Sequence, residues 1–161
     1  VLIPFKIDME ADQRKEQEDV SEKSIKGLHI LLAEDNELNM EIAEFMLQNE
    51  GADVTKAWNG QEAVELFEKS RAGEFDVILM DIMMPVMNGY DATKTIRSLD
   101  REDAKEVPII AMTANAFTED RIRAKEAGMD EHIAKPVDAK LLVKVIHKLV
   151  DWRKILSEGD S

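Results

Sequence analysis

Short apolar runs alternate with amphipathic segments along this chain, and each of four runs ends at a polar residue. The runs are His29–Ala33, Phe75–Met80, Val107–Met112 and His132–Ala134, and the residues that follow them are Glu34-Asp35, Asp81, Thr113 and Lys135. Short runs that are apolar throughout are typical of strands covered on both faces. Strands that alternate with helices predict a parallel sheet with helices on both of its faces.

The segments between the runs carry helix signals. Asn36 is a good N-cap, and apolar residues then recur at helical spacing until Gly51. These residues are Leu38, Ile42, Phe45 and Met46. Ala52–Trp58 is predicted as a further strand, and helices are predicted after Asn59-Gly60, from Tyr90 to Leu99, up to Gly128, and after the last strand. The pattern therefore predicts five successive βα units.

The polar residues that end the runs predict one shared site. The carboxyl ends of parallel strands meet at one edge of a sheet, which is where open α/β sheets bind ligands. Three carboxylates, a hydroxyl and an ammonium would then meet in one crevice. That set of groups suits a magnesium ion and a phosphoryl group.

Four residues are candidate magnesium ligands. Mg²⁺ prefers an octahedron of hard oxygens, usually one or two carboxylates together with waters and phosphate. Asp35 and Asp81 can bind the ion directly, and Glu34 can act through a water molecule. The main-chain carbonyl of Met83 is placed to add an oxygen.

Three residues are candidates for the phosphoryl chemistry. Asp81 follows directly on a buried-looking strand, and a carboxylate is a known nucleophile towards phosphorus. Lys135 supplies a compact positive charge for the phosphoryl oxygens, and Thr113 supplies a hydroxyl donor. Phosphoryl transfer depends more on positioning and charge neutralisation than on acid–base groups, so this set is sufficient.

Composition excludes several other classes of function. The net charge of −13 argues against nucleic acid as a partner, and the absence of cysteine excludes disulfides, thiolate metal sites and cysteine nucleophiles. No apolar run approaches the ~20 residues of a membrane span. We therefore expect a soluble cytoplasmic chain without direct membrane contact, and a longer parent protein could still be anchored in a membrane.

The chain is predicted to divide into three parts. Residues 1–27 form an N-terminal segment with a densely charged linker, residues 28–152 form one domain, and residues 153–161 form a C-terminal tail.

Four motifs indicate a resemblance to a known family. They are Leu32–Asn36, Leu79–Gly89, Ile110–Ala114 and Ile133–Pro136, and as an ordered set they closely resemble receiver domains of two-component response regulators. The resemblance implies a flavodoxin-like (βα)5 fold with strand order 2-1-3-4-5. It also implies that Asp81 accepts a phosphoryl group from phosphohistidine, with magnesium held by Asp35, Asp81 and the Met83 carbonyl.

The same resemblance implies a parent protein and partners. The stretches Glu34–Asn39 and Ala57–Ala63 look most like receivers attached to hybrid histidine kinases, and Val1–Phe5 is similar to the last strand of a kinase ATP-binding domain. The implied partners are a histidine kinase domain or a histidine phosphotransfer protein. Apart from its own phosphorylation and dephosphorylation, the chain itself is not expected to be an enzyme.

Several residues are assigned further roles on this basis. Leu38, Asn39 and Met40 lie early in the helix after Asn36, and we expect them to help dock a helical phosphotransfer domain. Thr113 and His132 are the expected switch residues. The family often has an aromatic residue where His132 stands, so the chain departs from the family's aromatic switch at this position.

Two positions flank the attacking water in the family, namely Met83 and Asn115 in this chain. An apolar side chain at Met83 offers no acid or base for hydrolysis, which favours a long-lived phosphate. Asn115 could partly compensate by orienting that water.

Two alternative functions from other classes remain. A magnesium-dependent aspartyl phosphatase also uses an aspartate nucleophile, but it typically needs a second aspartate where Met83 stands. A flavodoxin-like cofactor binder would want a glycine- or hydroxyl-rich phosphate loop after the first strand, and Glu34-Asp35-Asn36 repels phosphate unless a metal is bound.

Overall fold

A computed structural model describes residues 25–114 and 118–159. Strands and helices alternate along the described chain. Their order is β1 (His29–Ala33), α1 (Glu37–Asn49), β2 (Asp53–Ala57), α2 (Gly60–Lys69), β3 (Val77–Asp81), α3 (Gly89–Arg97), α4 (Glu102–Glu106), β4 (Ile109–Thr113), α5 (Thr118–Ala127), β5 (Glu131–Ala134) and α6 (Ala139–Gly159).

The five strands form one parallel sheet in the order β2-β1-β3-β4-β5. Ala33 of β1 lies beside Met80 of β3, and Asp81 lies beside Met112 of β4. The register therefore brings the ends of β1, β3 and β4 to the same edge. The predicted fold class and strand order are confirmed.

Alternate residues of each central strand enter two different cores, as the two-residue period of a strand requires. On one face, Leu31, Ile78 and Ile109 pack with residues of α2, α3, α4 and α5. On the other face, the neighbouring residues Ile30, Leu79 and Ile110 pack with residues of α1 and α6. Because helices cover both faces, the central strands are apolar throughout.

Helix α1 presents a different face to the sheet from the one its apolar spacing suggested. Its buried residues are Met40, Ala43 and Leu47. The row Leu38, Ile42 and Phe45, which also recurs at helical spacing, is exposed to solvent. Both rows fit the helical period, and the smaller Ala43 allows the helix to approach the sheet closely.

Asparagine caps begin three helices that follow strands or loops at the carboxyl edge. The side chain of Asn36 accepts a hydrogen bond from Asn39 N at 2.9 Å. Asn59 and Asn88 accept equivalent bonds, each 2.8 Å long, at the starts of α2 and α3. Each cap satisfies a backbone N–H that the first helical turn leaves without a partner.

The chain also departs from the predicted elements at several places. The short helix α4 between α3 and β4 was not predicted, and α6 continues through residues predicted as a tail as far as Gly159. Most of the charged linker and the segment Val1–Phe5 lie outside the described residues. The division into segment, domain and tail stays a prediction. Among the described helices, none has both the length and the apolar character needed to cross a bilayer.

Candidate phosphoryl-transfer site

The sheet brings the predicted polar residues together at its carboxyl edge. Glu34 and Asp35 follow β1, Asp81 ends β3, Thr113 ends β4 and Lys135 follows β5. Backbone hydrogen bonds hold the strand ends in place: Glu34 N donates to Ala57 O at 3.0 Å, and Lys135 N donates to Thr113 O at 2.8 Å. The rigid sheet, rather than a loop, therefore fixes the relative positions of these side chains.

Three carboxylates form a compact acidic cluster. One oxygen each of Glu34, Asp35 and Asp81 lies within 4.8 Å of the others. Glu34 is 2% exposed and Asp81 is 4% exposed, whereas Asp35 faces solvent. Glu34 Oε1 also accepts a hydrogen bond from Asn36 N at 3.1 Å, which holds this buried carboxylate at the start of α1. Carboxylates this close repel one another when all are ionised.

Lys135 counters part of this repulsion. Its Nζ lies 2.9 Å from Glu34 Oε2 and 3.1 Å from Asp81 Oδ2. With three carboxylates ionised against one ammonium, the cluster keeps an excess of two negative charges (−3 + 1 = −2). An excess of this sign among hard oxygens is the environment that binds a small divalent cation.

The pKa values of two residues reflect this environment. Burial, followed by the charge of Glu34, raises the pKa of Asp81 from its ordinary 3.8 to about 6, although Lys135 acts in the opposite direction. For Lys135, burial alone lowers the pKa. Hydrogen bonds to Glu34 and Asp81 outweigh that effect, so the pKa of Lys135 lies above its ordinary value. The ammonium of Lys135 is therefore charged across the physiological range.

An open cleft of about 460 Å³ surrounds the cluster. Glu34, Asp35, Asn39, Asp81, Met83, Thr113 and Lys135 were predicted for the site or its partner surface, and they line this cleft. Leu38, Met40 and His132 do not line it. Asn115 lies outside the described residues.

Gly89 lets the loop after Asp81 fold back against the end of β3. Gly89 N donates to Ile82 O at 2.9 Å. A Cβ atom at Gly89 would lie 2.3 Å from the backbone oxygen of Asp81, a separation that real Cβ contacts do not allow. The glycine therefore permits a close backbone approach directly beneath the acidic side chain.

The prediction that Met40 contacts a partner is wrong. Met40 is 1% exposed and packs in the core beneath α1, together with Leu32 and Leu47. The large apolar residues of α1 that are exposed are Leu38 in the first turn and Ile42 and Phe45 further along the helix, and Asn39 is exposed as well.

His132 lies on β5 and contacts the helix beside it. Arg121 Nε donates a hydrogen bond to His132 Nε2 at 2.7 Å, and His132 Nδ1 lies 3.6 Å from Glu131 Oε1. The imidazole is thereby tied to α5. No equivalent bond was predicted from the sequence.

The cleft residues that were not assigned to the site from the sequence include Tyr90, Asp120 and Arg123. The Arg123 guanidinium carbon lies 4.6 Å from the centre of the Tyr90 ring, a cation–π distance. Within the described residues, the buried Tyr90 hydroxyl has no hydrogen-bond partner. The available signal was the three-residue spacing of Asp120 and Arg123, which puts both on one face of the helix after Thr113.

The family model described as "Response regulator receiver domain" matches residues 30–147 of the chain. The chain belongs to the response regulator receiver domain family. The receiver domain is a module of two-component signalling, as the four motifs implied. This match decides against the phosphatase and the cofactor-binding alternatives.

Relatives of this receiver domain include much longer proteins. It is 36% identical over 159 residues to "Histidine kinase 1" of Arabidopsis thaliana, covering 80% of this chain and 13% of the relative. It is 38% identical over 120 residues to "Hybrid signal transduction histidine kinase I" of Dictyostelium discoideum, covering 73% of this chain and 7% of the relative. The chain thus spans a small fraction of the length of these relatives.

Solved structures give the same result for the fold. The receiver domain of a sensor histidine kinase from Pseudomonas aeruginosa is 41% identical, with a TM-score of 0.70 over 78% of this chain and 98% of that one. In that structure a magnesium ion is coordinated in the active site cleft. A chemotaxis protein of Vibrio cholerae is 28% identical, with a TM-score of 0.70 over 76% of this chain and 98% of that one.

Proposed function

We propose that this receiver domain accepts a phosphoryl group from phosphohistidine on the carboxylate of Asp81. The observation that carries the proposal is the position of that carboxylate. It ends a buried strand and lies 3.1 Å from the Lys135 ammonium, beside two further carboxylates within 4.8 Å. A carboxylate in such a charge-balanced cleft can act as the nucleophile of phosphoryl transfer.

The transfer conserves atoms and charge. An oxygen of Asp81 forms a bond to phosphorus while the bond between phosphorus and the donor imidazole nitrogen breaks, and the imidazole leaves with the electron pair. Lys135 already contacts Asp81 Oδ2 and can follow the negative charge onto the incoming phosphoryl oxygens. Thr113 lines the same cleft and can donate its hydroxyl hydrogen to those oxygens.

The acidic cluster fits magnesium. The ion would be held by Asp35, Asp81 and the main-chain carbonyl of Met83, with Glu34 acting through water. When bound, magnesium neutralises phosphoryl oxygens as the transfer proceeds. The donor set supports this assignment, since it consists of hard oxygens with an excess of negative charge. The magnesium-bound receiver of the Pseudomonas kinase gives independent support by similarity.

We further propose that the domain acts within a hybrid histidine kinase. Its relatives include histidine kinases from a plant and from Dictyostelium, and the region that this chain matches is a small part of each. The phosphoryl group would then pass between this domain and a kinase domain or a histidine phosphotransfer protein. The chain itself would catalyse only its own phosphorylation and dephosphorylation.

The proposed docking surface is the exposed apolar row of α1. Leu38, Ile42 and Phe45 recur at intervals of four and three residues, so they lie along one side of the helix. Asn39, in the first turn, lines the cleft. A partner with an apolar helical face could cover this row and bring its histidine to Asp81. Leu38 and Asn39 stay in the proposed set, and Ile42 and Phe45 join it.

Thr113 and His132 are the proposed switch residues. Thr113 ends β4, and His132 lies on the adjacent strand, opposite Ala111. A phosphoryl group that draws the Thr113 hydroxyl towards Asp81 would alter the contact between β4 and β5. The bond between His132 and Arg121 would pass that change to α5.

Labelling of the acceptor tests this function. With magnesium and a small phosphodonor, the chain should take up one phosphate that both acid and base remove. Asp81→Asn should abolish uptake while the fold is retained, whereas Asp100→Asn, at an exposed aspartate after α3, should label normally. Full labelling of the folded Asp81→Asn protein would refute the assignment.

A further inference from the structure

Met83 is the exposed methionine of the phosphoryl site. The chain has nine methionines and no cysteine. Met9 lies outside the described residues. Of the eight methionines that the structure describes, Met40, Met80, Met112 and Met129 are at most 5% exposed, and Met46, Met84 and Met87 are partly buried. Met83 is 77% exposed, and it lines the cleft that holds Asp81, Thr113 and Lys135.

Resting on the function proposed above, we propose that Met83 is a peroxide-sensitive modification site, and that its oxidation to methionine sulfoxide shortens the lifetime of the phosphoryl group on Asp81. Exposure governs which methionines an oxidant in solution can reach, and the chain offers no thiol to compete. Met80 and Met112 lie close to the acidic cluster in sequence and register, but the core shields them.

The oxidation step balances with a peroxide as the oxidant. A lone pair of the Met83 sulfur attacks one peroxide oxygen, forming the sulfur–oxygen bond as the oxygen–oxygen bond breaks. The departing hydroxide takes the remaining proton from the transferred oxygen and leaves as water. Sulfur is oxidised by two electrons and peroxide is reduced by two. No other reactant is needed, and sulfoxide reductases can reverse the change.

The modification changes the chemistry of the cleft wall. A thioether is a weak hydrogen-bond acceptor, whereas a sulfoxide is polar and carries a strong acceptor oxygen. At Met83 that oxygen would stand at the solvent-facing side of the cleft, where water must enter to reach a phosphoryl group on Asp81. A water that donates to this oxygen is held near the phosphorus. One added hydrogen bond in the transition state would shorten the lifetime roughly fivefold.

The modification site is tested by peptide mapping. The purified chain is treated with increasing hydrogen peroxide at neutral pH and digested, and the sulfoxide at each methionine is measured by mass spectrometry. Met83 should be oxidised first, before the partly buried Met46, Met84 and Met87. Equal oxidation of Met83 and these methionines at low peroxide would overturn the assignment of the site.

The consequence is tested by timing phosphate loss. Treated and untreated samples are labelled with a small phosphodonor and magnesium, and each variant is compared with its own untreated sample. The treated natural sequence should lose phosphate faster, and the two sulfoxide reductases together, one for each sulfoxide epimer, should restore the slow rate. Met83→Leu should lose the peroxide response, whereas Met46→Leu, which removes a partly buried methionine on α1, should retain it. Met83→Asn, with a polar amide, should be fast without peroxide.

These outcomes separate the inference from the proposed function. Selective oxidation of Met83 with an unchanged phosphate lifetime would overturn the regulatory step. If the peroxide response persists in Met83→Leu, another residue must cause it, and the proposal is overturned. If the untreated natural sequence takes up no phosphate, the proposed function fails, while peptide mapping still decides where the chain is oxidised.

Discussion

Lys135 Nζ lies 3.1 Å from Asp81 Oδ2, yet the pKa of Asp81 is raised to about 6. An ammonium at this distance stabilises the ionised carboxylate, so burial and the nearby Glu34 must outweigh it. Lys135 divides its contacts between the two buried carboxylates, at 2.9 Å and 3.1 Å. The ionised carboxylate of Asp81 is therefore electrostatically destabilised, and a second cation in the cleft would relieve this.

The first prediction concerns how the free energy of unfolding depends on pH when a chelator removes divalent cations. Because the pKa of folded Asp81 exceeds its ordinary 3.8, the folded state binds this proton more tightly than the unfolded state. The stabilisation is complete below 3.8 and is lost as the pH rises through about 6. Asp81→Asn has no such loss. The free energy of unfolding of Asp81→Asn relative to the natural sequence should therefore rise by on the order of 3 kcal/mol from acid to neutral pH.

Urea unfolding at a series of pH values measures this difference. The matched control is Asp100→Asn, since Asp100 is an exposed aspartate after α3, away from the cluster. Its stability difference from the natural sequence should be flat over the same range. If the stability difference of Asp81→Asn were also independent of pH, the Asp81 carboxylate would not be destabilised in the folded state as we infer.

The second prediction concerns magnesium. A ligand that binds only the folded state stabilises it by about 1.4 kcal/mol at a free concentration tenfold above its Kd. Thermal unfolding at low salt should therefore shift upwards with magnesium. Asp35→Ala should remove most of that shift with little effect on the metal-free fold, because Asp35 is exposed. Asp100→Ala should keep the full shift. A magnesium response that survives Asp35→Ala would place the ion elsewhere.

The fold and the acidic site could be predicted because they follow from simple periodic rules. Apolar strands alternating with helices require a parallel sheet, and the register then brings residues that follow strands, such as Glu34 and Asp81, to one edge. No knowledge of side-chain packing was needed for that step. The resemblance to receiver domains supplied the strand order.

What could not be predicted depends on how the helices rotate and pack. Helix α1 carries two rows at helical spacing, and the sequence did not reveal that the row with Met40 faces the sheet while the row with Phe45 faces solvent. Likewise, Arg123 reaches the cleft only because α5 packs beside α3 and sets the guanidinium over the Tyr90 ring. Such contacts arise from tertiary geometry between elements distant in sequence.

The third prediction concerns the partner surface. Phe45→Lys should slow transfer from a histidine phosphotransfer protein roughly tenfold or more, since an exposed aromatic side chain is typical of an interface hot spot. Phosphorylation by a small donor should be unchanged, because Phe45 does not line the cleft. Ile122→Lys on α5 is the control, as Ile122 is also an exposed apolar residue but lies on another helix. The phosphorylation rates of both variants are measured in parallel with the protein donor and with the small donor.

Two outcomes would contradict this interface. Equal losses with the protein donor and the small donor would mean that Phe45→Lys disturbs the site itself. Equal losses for Phe45→Lys and Ile122→Lys with the protein donor would show that the effect is not specific to α1. Met40→Lys is not a test of docking, because it would bury an unpaired charge and unfold the domain.

The fourth prediction concerns the loop after β3, where Val86 has a φ of +69°. A β-branched residue is strained in this left-handed region, whereas asparagine tolerates it. Val86 is 82% exposed, so its side chain contributes little packing to offset the strain. Val86→Asn should therefore stabilise the domain by about 1 kcal/mol in urea unfolding.

Val86→Ala is the control for this prediction. It removes the β-branch and most of the exposed apolar surface, but alanine is still disfavoured at positive φ. The variant therefore separates relief of backbone strain from removal of exposed apolar surface. A gain as large with alanine as with asparagine would mean that relief of exposed apolar surface, and not of backbone strain, accounts for the effect.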